Sequence, residues 1–381
     1  MKIQGMLLSA TRTLRSSVFT LLSIAAPFYL DTLSLNYIEI GLILLLSSVT
    51  STVFIYVIPR LKITATSKVF LTWGLLSASL LLLVVSDGLL EFILALIIGG
   101  LSLTGKDMSP NTSIEQYTIG SYYPDQREKN NQFSYYNFLS YGGNMAASLA
   151  IFVFTGLTFR SIFMAGLILT LLEAVPYLFV KFPNPKPRAK GQPPSRDERR
   201  IVSRLTVLFG TDSFGGGFVN TSMLSLWFLA VYSLKIGETG LIFVVVNLLT
   251  MISVLISGRL STRIGLIRTM VSTHLISNAF LIMMSFVHIL FLSEIFLFLR
   301  QTTSQMDVPA RDSFINTIIE PDSRMYTNSH FLAARNLSNV PSPAVGSLLI
   351  DFYPLALPAV AGAIKSAYDI ALYAGFRKYR V

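Results

Sequence analysis

The stretch SLNYIEIGLI, from Ser34 to Ile43, returns 199 residues later as SLKIGETGLI, from Ser233 to Ile242. Ser, Leu, Glu, Gly, Leu and Ile coincide at six of the ten positions. The same offset lays Phe19 on Phe218, Ser23 on Ser222, Leu30 on Leu229 and Arg60-Leu61 on Arg259-Leu260. At an offset of 197, Pro124-Asp125-x-Arg127 falls on Pro321-Asp322-x-Arg324. Shared apolar composition produces scattered leucine matches. It does not produce a matched Glu, a matched Gly and two loop motifs in register, so the chain reads as one half written twice.

Around the repeat the sequence is apolar in long blocks, among them Val18 to Leu30, Ile40 to Ile58 and Leu89 to Leu103. With its weakly polar flanks each block reaches about 20 residues, or roughly 30 Å of helix, which matches a bilayer core. Only 13% of the chain is charged, against about 25% in soluble domains. We read twelve spans, starting near residues 10, 38, 67, 89, 131, 160, 204, 238, 266, 289, 326 and 354. The fold class is therefore an all-α polytopic membrane protein. KFPNPKPRAKGQPPSRDERR, Lys181 to Arg200, is basic and Pro-rich, so it cannot enter the membrane. It separates an N-terminal six-helix bundle (1–180) from a C-terminal one (201–381). Six spans per half give both copies the same orientation, a parallel repeat about an axis along the membrane normal.

The formal net charge of +10 suggests nucleic acid until the charges are placed. Loops on one side of the predicted topology hold 23 of the 30 basic residues, and the other side holds only Arg160 and Lys235. The positive-inside rule then puts both termini and the linker in the cytoplasm of a multi-pass plasma-membrane protein, with lipid and not nucleic acid as its surroundings. The chain has no cysteine and three dispersed histidines, so disulfides are excluded and neither metal nor cofactor is expected. No A-x-A-like site follows the first apolar run, which argues against a cleaved signal peptide. The Gly215-Gly216-Gly217 run has no preceding strand and no Walker-type Lys-Ser/Thr, so it predicts a hinge or close packing instead of a phosphate loop. Neither a nucleophile elbow nor H-E-x-x-H is present, so no enzyme is expected.

The loop after the eighth span, GRLSTRIGLIR from Gly258 to Arg268, resembles the G-x-L-small-D-R-x-G-R-[RK] signature of the major facilitator superfamily. Gly258, Leu260, Ser261, Arg263, Gly265 and Arg268 fit, with Arg259 between them; Thr262 stands where that family has Asp. The first-half copy keeps little beyond Arg60 and Leu61. Together with twelve spans and a basic central loop, the resemblance implies two pseudo-symmetric six-helix bundles around a solute pathway lined by the first, fourth, seventh and tenth spans. It further implies a monomeric secondary transporter of a small organic solute, working by alternating access, with protons as a candidate coupling ion. A multidrug or metabolite efflux pump, a non-transporting sensor and a polytopic enzyme stay open as alternatives.

The tenth span, LRQTTSQMDVPARDSF from Leu299 to Phe314, is the most polar. Arg300, Ser304, Asp307 and Arg311 follow helical spacing, which predicts one shared face. Arg300 falls near the midplane, where insertion of an arginine costs about 2.5–3.5 kcal/mol. Asp307 can pair with Arg311 one turn on, but lies about 10 Å along the axis from Arg300. Arg300 thus needs a partner from another helix, a water-filled cavity or an anionic or zwitterionic solute. The candidate substrate pathway comprises Arg300, Gln301, Ser304, Arg335, Asn336, Asn220 and Tyr136. The candidate gate or proton-coupling set comprises Asp107, Glu115, Asp212, Asp307, Arg311, Arg12 and Arg15, with salt-bridged gates preferred to proton carriers. Pro110 and Pro309 are predicted helix breaks in equivalent spans.

Overall fold

The computed structural model describes residues 2–123, 125–154, 156, 158–183, 195–320 and 323–377. In chain order its helices are α1 (Lys2–Thr32), α2 (Tyr37–Val57), α3 (Ala65–Val85), α4 (Leu89–Gly99), α5 (Pro110–Tyr122), α6 (Gln126–Val153), α7 (Phe159–Phe179), α8 (Arg196–Gly217), α9 (Thr221–Tyr232), α10 (Ile236–Ile264), α11 (Leu266–Met284), α12 (Leu290–Thr303), α13 (Asp307–Ile318), α14 (Arg324–Asn339), α15 (Ser342–Phe352) and α16 (Ala356–Phe376). No strand occurs among the described residues. These helices make the twelve spans, with the fourth, seventh, tenth and eleventh each built from two helices. Six helices are long and apolar enough to cross a bilayer alone, and α8 with α9 makes a seventh as one broken span. The other spans are broken or carry more polar residues.

The repeat has a local physical cause. Ser34 and Ser233 are the two non-glycine residues with positive φ among those described, at 60° and 52°. That left-handed step ends the first and seventh spans and reverses the chain. Five residues later, Glu39 Oε2 accepts the Asn36 backbone N–H at 2.9 Å, and Glu238 Oε2 accepts that of Lys235 at 2.7 Å. Both glutamates satisfy donors that a helix start leaves open. The matched Ser and Glu are therefore a turn-and-cap code used twice.

Contacts divide the chain into two compact units, Met1–Lys186 with Asn220–Asn247, and Pro187–Val219 with Leu248–Val381. In the first unit α1 is the central rod: its apolar window is 89% buried, against 39% for α2, α3 and α7. Leu42, Val53, Leu81, Ile168, Leu172 and Leu178 stay exposed, an apolar exterior suited to lipid and not to water. The second unit is cored by Phe209, Met270, Phe314, Phe331, Tyr368, Leu372 and Phe376.

In the fourth and tenth spans a proline opens the helix that follows the break. Pro110 is the first residue of α5 and Pro309 the third of α13, positions where a missing N–H is tolerated. The single face expected for the tenth span is corrected accordingly. Helix α12 stops at Thr303 and α13 starts at Asp307, so Arg300 and Arg311 belong to different helices, although Arg300, Ser304, Asp307 and Arg311 are all buried. In the seventh span α8 ends at Gly217, where a Cβ would come within 2.3 Å of Ser342 Cβ, so the glycine run serves both a break and close packing. Gly265 has φ 87° and separates α10 from α11, a conformation that favours glycine; Arg268 beyond it is exposed. The side chains of Gly258, Arg259 and Arg263 lie outside the described ones, as do Pro124, Pro321, Asp322 and residues 184–194 of the linker.

Candidate functional site

Arg15, on α1, has no solvent exposure and serves three carboxylates. Its Nε donates to Asp107 Oδ2 at 2.7 Å, Nη2 to Glu115 Oε2 at 2.8 Å, and Nη1 to Glu115 Oε1 at 2.9 Å and Glu173 Oε1 at 2.7 Å. Arg12, one turn earlier, donates from Nη1 to Asp107 Oδ2 at 2.5 Å and Thr112 Oγ1 at 2.6 Å. Glu115 also accepts from Thr11 at 2.8 Å, from Tyr177 at 2.6 Å and from Tyr136. The break in the fourth span makes this geometry. Asp107 lies in the break, its Oδ1 accepting the Ser109 N–H at 2.9 Å, and α5 then presents Thr112 and Glu115 one turn apart on the same face. Buried ions each carry a desolvation penalty of several kcal/mol, offset here by dense charge-assisted bonds.

The sequence reading placed Arg12, Arg15, Asp107 and Glu115 in one functional set, and here they form one network. It gave Tyr136 to the pathway, whereas the Tyr136 hydroxyl is committed to Glu115. It missed Glu173 and Tyr177 of α7. Glu173 is the one acidic residue of that helix, deep in the apolar run LILTLLEAV. A lone ionisable group in a span was the available signal.

A second cluster lies in the other unit. Lys365 Nζ is 2.5 Å from Asp212 Oδ1, and Arg311 Nη1 is 3.0 Å from Asp307 Oδ2 and 3.8 Å from Asp212 Oδ2. His274 Nδ1 lies 2.9 Å from Asp369 Oδ1, and Asn278 donates to Asp369 Oδ2 at 2.8 Å. Asp212, Asp307 and Arg311 are thus brought together, with the one-turn Asp307–Arg311 pair formed. Lys365 and Asp369, one turn apart on α16, and His274 were missed. Arg335 is half-buried and donates to Ser213 Oγ at 3.2 Å; Asn336 beside it on α14 is half-buried.

Arg300 differs from both clusters. It is 8% exposed, and among the described residues no carboxylate pairs with it. Its Nη1 donates to Gln301 Oε1 at 3.0 Å, and its Nε has no acceptor. Gln301 is held in turn: Ser304 Oγ donates to its Oε1 at 3.3 Å, and its own amide donates to Thr250. This is a guanidinium oriented by neutral groups, with donor capacity left over.

The far end of α1 carries a different contact. Ser222 Oγ donates to the Ser23 carbonyl at 2.9 Å and to that of Leu103, and the Gly105 N–H donates to Ser23 Oγ at 2.7 Å. Thr221 N–H donates to Thr104 O at 3.2 Å. Gly105 has φ 76°, and a Cβ there would sit 1.9 Å from Thr221 Oγ1. Asn220 opens α9 as its N-cap, Oδ1 accepting the Met223 N–H at 3.0 Å, which leaves less of that side chain for a solute.

The Major Facilitator Superfamily pattern matches residues 8–299. Among solved structures, the human organic anion transporter MFSD10 (TETRAN) is similar, with a TM-score of 0.70 at 15% identity over 97% of this chain and 99% of that one. The nucleoside transporter NupG gives 0.74 at 14% identity, with 100% of each chain covered. The peptide transporter POT in complex with sulfate gives 0.77 at 14% identity, over 99% of this chain and 95% of that one. No curated protein matches the sequence. At such identities the likeness establishes the fold.

Proposed function

Because this chain belongs to the Major Facilitator Superfamily, a family of membrane transporters, we propose that it is a secondary active transporter moving a small organic solute that bears a carboxylate or phosphate. The observation that carries the reading is Arg300, a buried guanidinium with no carboxylate partner among the described residues. Leaving a charge unpaired in the interior costs several kcal/mol, so an anionic solute is the partner that fits. A guanidinium presents its donors as a planar fork that fits a carboxylate or phosphate bidentately. Gln301 fixes the orientation of that fork from one side. An organic anion transporter and a sulfate-bound transporter among the similar folds are in keeping with this.

Alternating access supplies the mechanism: the halves 1–180 and 201–381 rock about the solute, joined by the cytoplasmic linker 181–200. With the termini inside, as the basic loops imply, the Ser23–Ser222 contact lies toward the outer face and acts as the outer closure. The chain lacks cysteine, so a single Ala26→Cys, buried at 1% exposure, reports opening from outside. Adding Gly105→Ala is expected to speed labelling of that cysteine by an impermeant maleimide at least severalfold, because the new methyl group meets Thr221. Unchanged labelling would show that this contact does not close the outer side.

The solute class is tested on purified protein by thermal shift with a panel of organic carboxylates and phosphates, with neutral and cationic solutes as controls. Stabilisation confined to anions is expected. Proteoliposomes loaded with the stabilising solute should then show saturable uptake and counterflow. Unsaturable flux, or binding without flux, would point to a channel or a sensor instead.

A further inference from the structure

We propose that the Arg15 network is a proton-binding site in which Glu173 carries the proton. The network sets three carboxylates, of Asp107, Glu115 and Glu173, against two guanidiniums, of Arg12 and Arg15. Four of the five side chains are at most 1% exposed, and that of Arg12 is 13% exposed. The other polar groups reaching the cluster, from Thr11, Thr112, Tyr136 and Tyr177, are uncharged hydroxyls. Helix α3, packed on α7, adds Thr72 and Trp73, while its Lys68 is half-buried and donates to Pro59 O at 2.7 Å. Lys106, next to Asp107, is exposed. With all three acids ionised the interior therefore holds a net charge of about −1, which low polarity disfavours. One proton makes the network neutral.

The hydrogen bonds say which acid holds it. Asp107 is met by Arg12, Arg15 and a backbone N–H. Glu115 accepts from both Arg15 terminal nitrogens, Thr11, Tyr136 and Tyr177, which fills a carboxylate's acceptor sites. Glu173 is met by Arg15 Nη1 on Oε1 and has the Tyr177 hydroxyl beside it, whose hydrogen goes to Glu115. Of the three, Glu173 is the carboxylate least provided for as an anion and the one with room for its own hydrogen. A small pocket lined by Phe19, Phe54, Trp73, Gly100 and Asn111 borders Glu173 and Arg15.

The consequence for transport rests on the function proposed above. Loss of the proton adds a third anion competing for Arg15, and Arg15 shares the unbroken α1 with Ser23, eight residues or about 12 Å further along. A change in the network's charge is thereby carried to the outer closure by one rigid element.

Infrared spectroscopy of the purified protein tests the assignment without any transported solute, so its failure and that of the transporter reading are distinguishable. A protonated-carboxyl band present at neutral pH is expected to vanish on alkalinisation. Glu173→Gln should lack that band and Glu115→Gln should keep it. The band surviving in Glu173→Gln, or disappearing in Glu115→Gln, overturns the proposal. Glu173→Asp keeps an acid at the site should glutamine impair folding, and is expected to move the band; an unmoved band overturns the proposal equally.

Discussion

Replacing Arg15 with alanine is expected to lower the melting temperature of the detergent-purified protein by about 6–20 °C, the largest loss of any single substitution in α1. Removing one partner of a buried ion pair costs about 3–5 kcal/mol, because the other charge is left without compensation. Arg15 leaves two such charges, on Asp107 and Glu115, and takes from Glu173 its guanidinium donor. Arg12 cannot replace it, since its guanidinium already serves Asp107 and Thr112. Arg15→Lys should recover little, because a compact ammonium cannot span acceptors that surround a planar fork. Neutralising the set together, with Arg12→Met, Arg15→Met, Asp107→Asn, Glu115→Gln and Glu173→Gln, should restore most of the stability, as whole-network replacements tend to do. A shift below about 2 °C for Arg15→Ala, well under the loss expected for a broken buried pair, would mean that these carboxylates are solvated in the folded protein.

The second large effect has the opposite sign on stability. Arg300→Met is expected to raise the melting temperature, since it fills similar volume and removes a buried charge that no carboxylate among the described residues balances. Binding should suffer in proportion. Losing a hydrogen-bonded charge from a desolvated contact costs about 2–5 kcal/mol, so affinity for the stabilising anion should fall by about 30-fold or more. Function is then being maintained at the expense of stability, as is common where a site must wait for its ligand. Thermal unfolding of the variant with and without solute measures both halves of the prediction. A variant that melts lower and still binds would make Arg300 a structural residue.

Much of this could be read before any coordinates. The spans follow from the length of apolar blocks, and the repeat from Ser34 and Glu39, whose counterparts Ser233 and Glu238 fill the same turn and cap. Arg300 stood out because an arginine near a midplane is rare, and the Asp307–Arg311 pair because it needs only one turn of helix. What was not legible is long-range convergence. Glu173 and Arg15 are 158 residues apart, and no local spacing links them. Attention to the first, fourth, seventh and tenth spans passed over the sixth and twelfth, where Glu173, Lys365 and Asp369 lie. His274 was set aside as an isolated histidine, yet it faces Asp369 across 95 residues of chain. The glycine run predicted a hinge in the seventh span, but not that Asn220 beyond it caps the next helix.

The contact between Ser23 and Ser222 bears on how such a chain arises. Each serine is the other's counterpart in the repeat, so a residue here touches its own duplicate. In a dimer of two identical half-length subunits, a bond given at that point would have to be returned in kind. It is not returned. Ser222 gives its hydroxyl hydrogen to the Ser23 carbonyl, while the Ser23 hydroxyl turns aside to accept from Gly105. Carrying both copies in one chain makes that division of labour available: encoded separately, one can specialise in giving and the other in receiving.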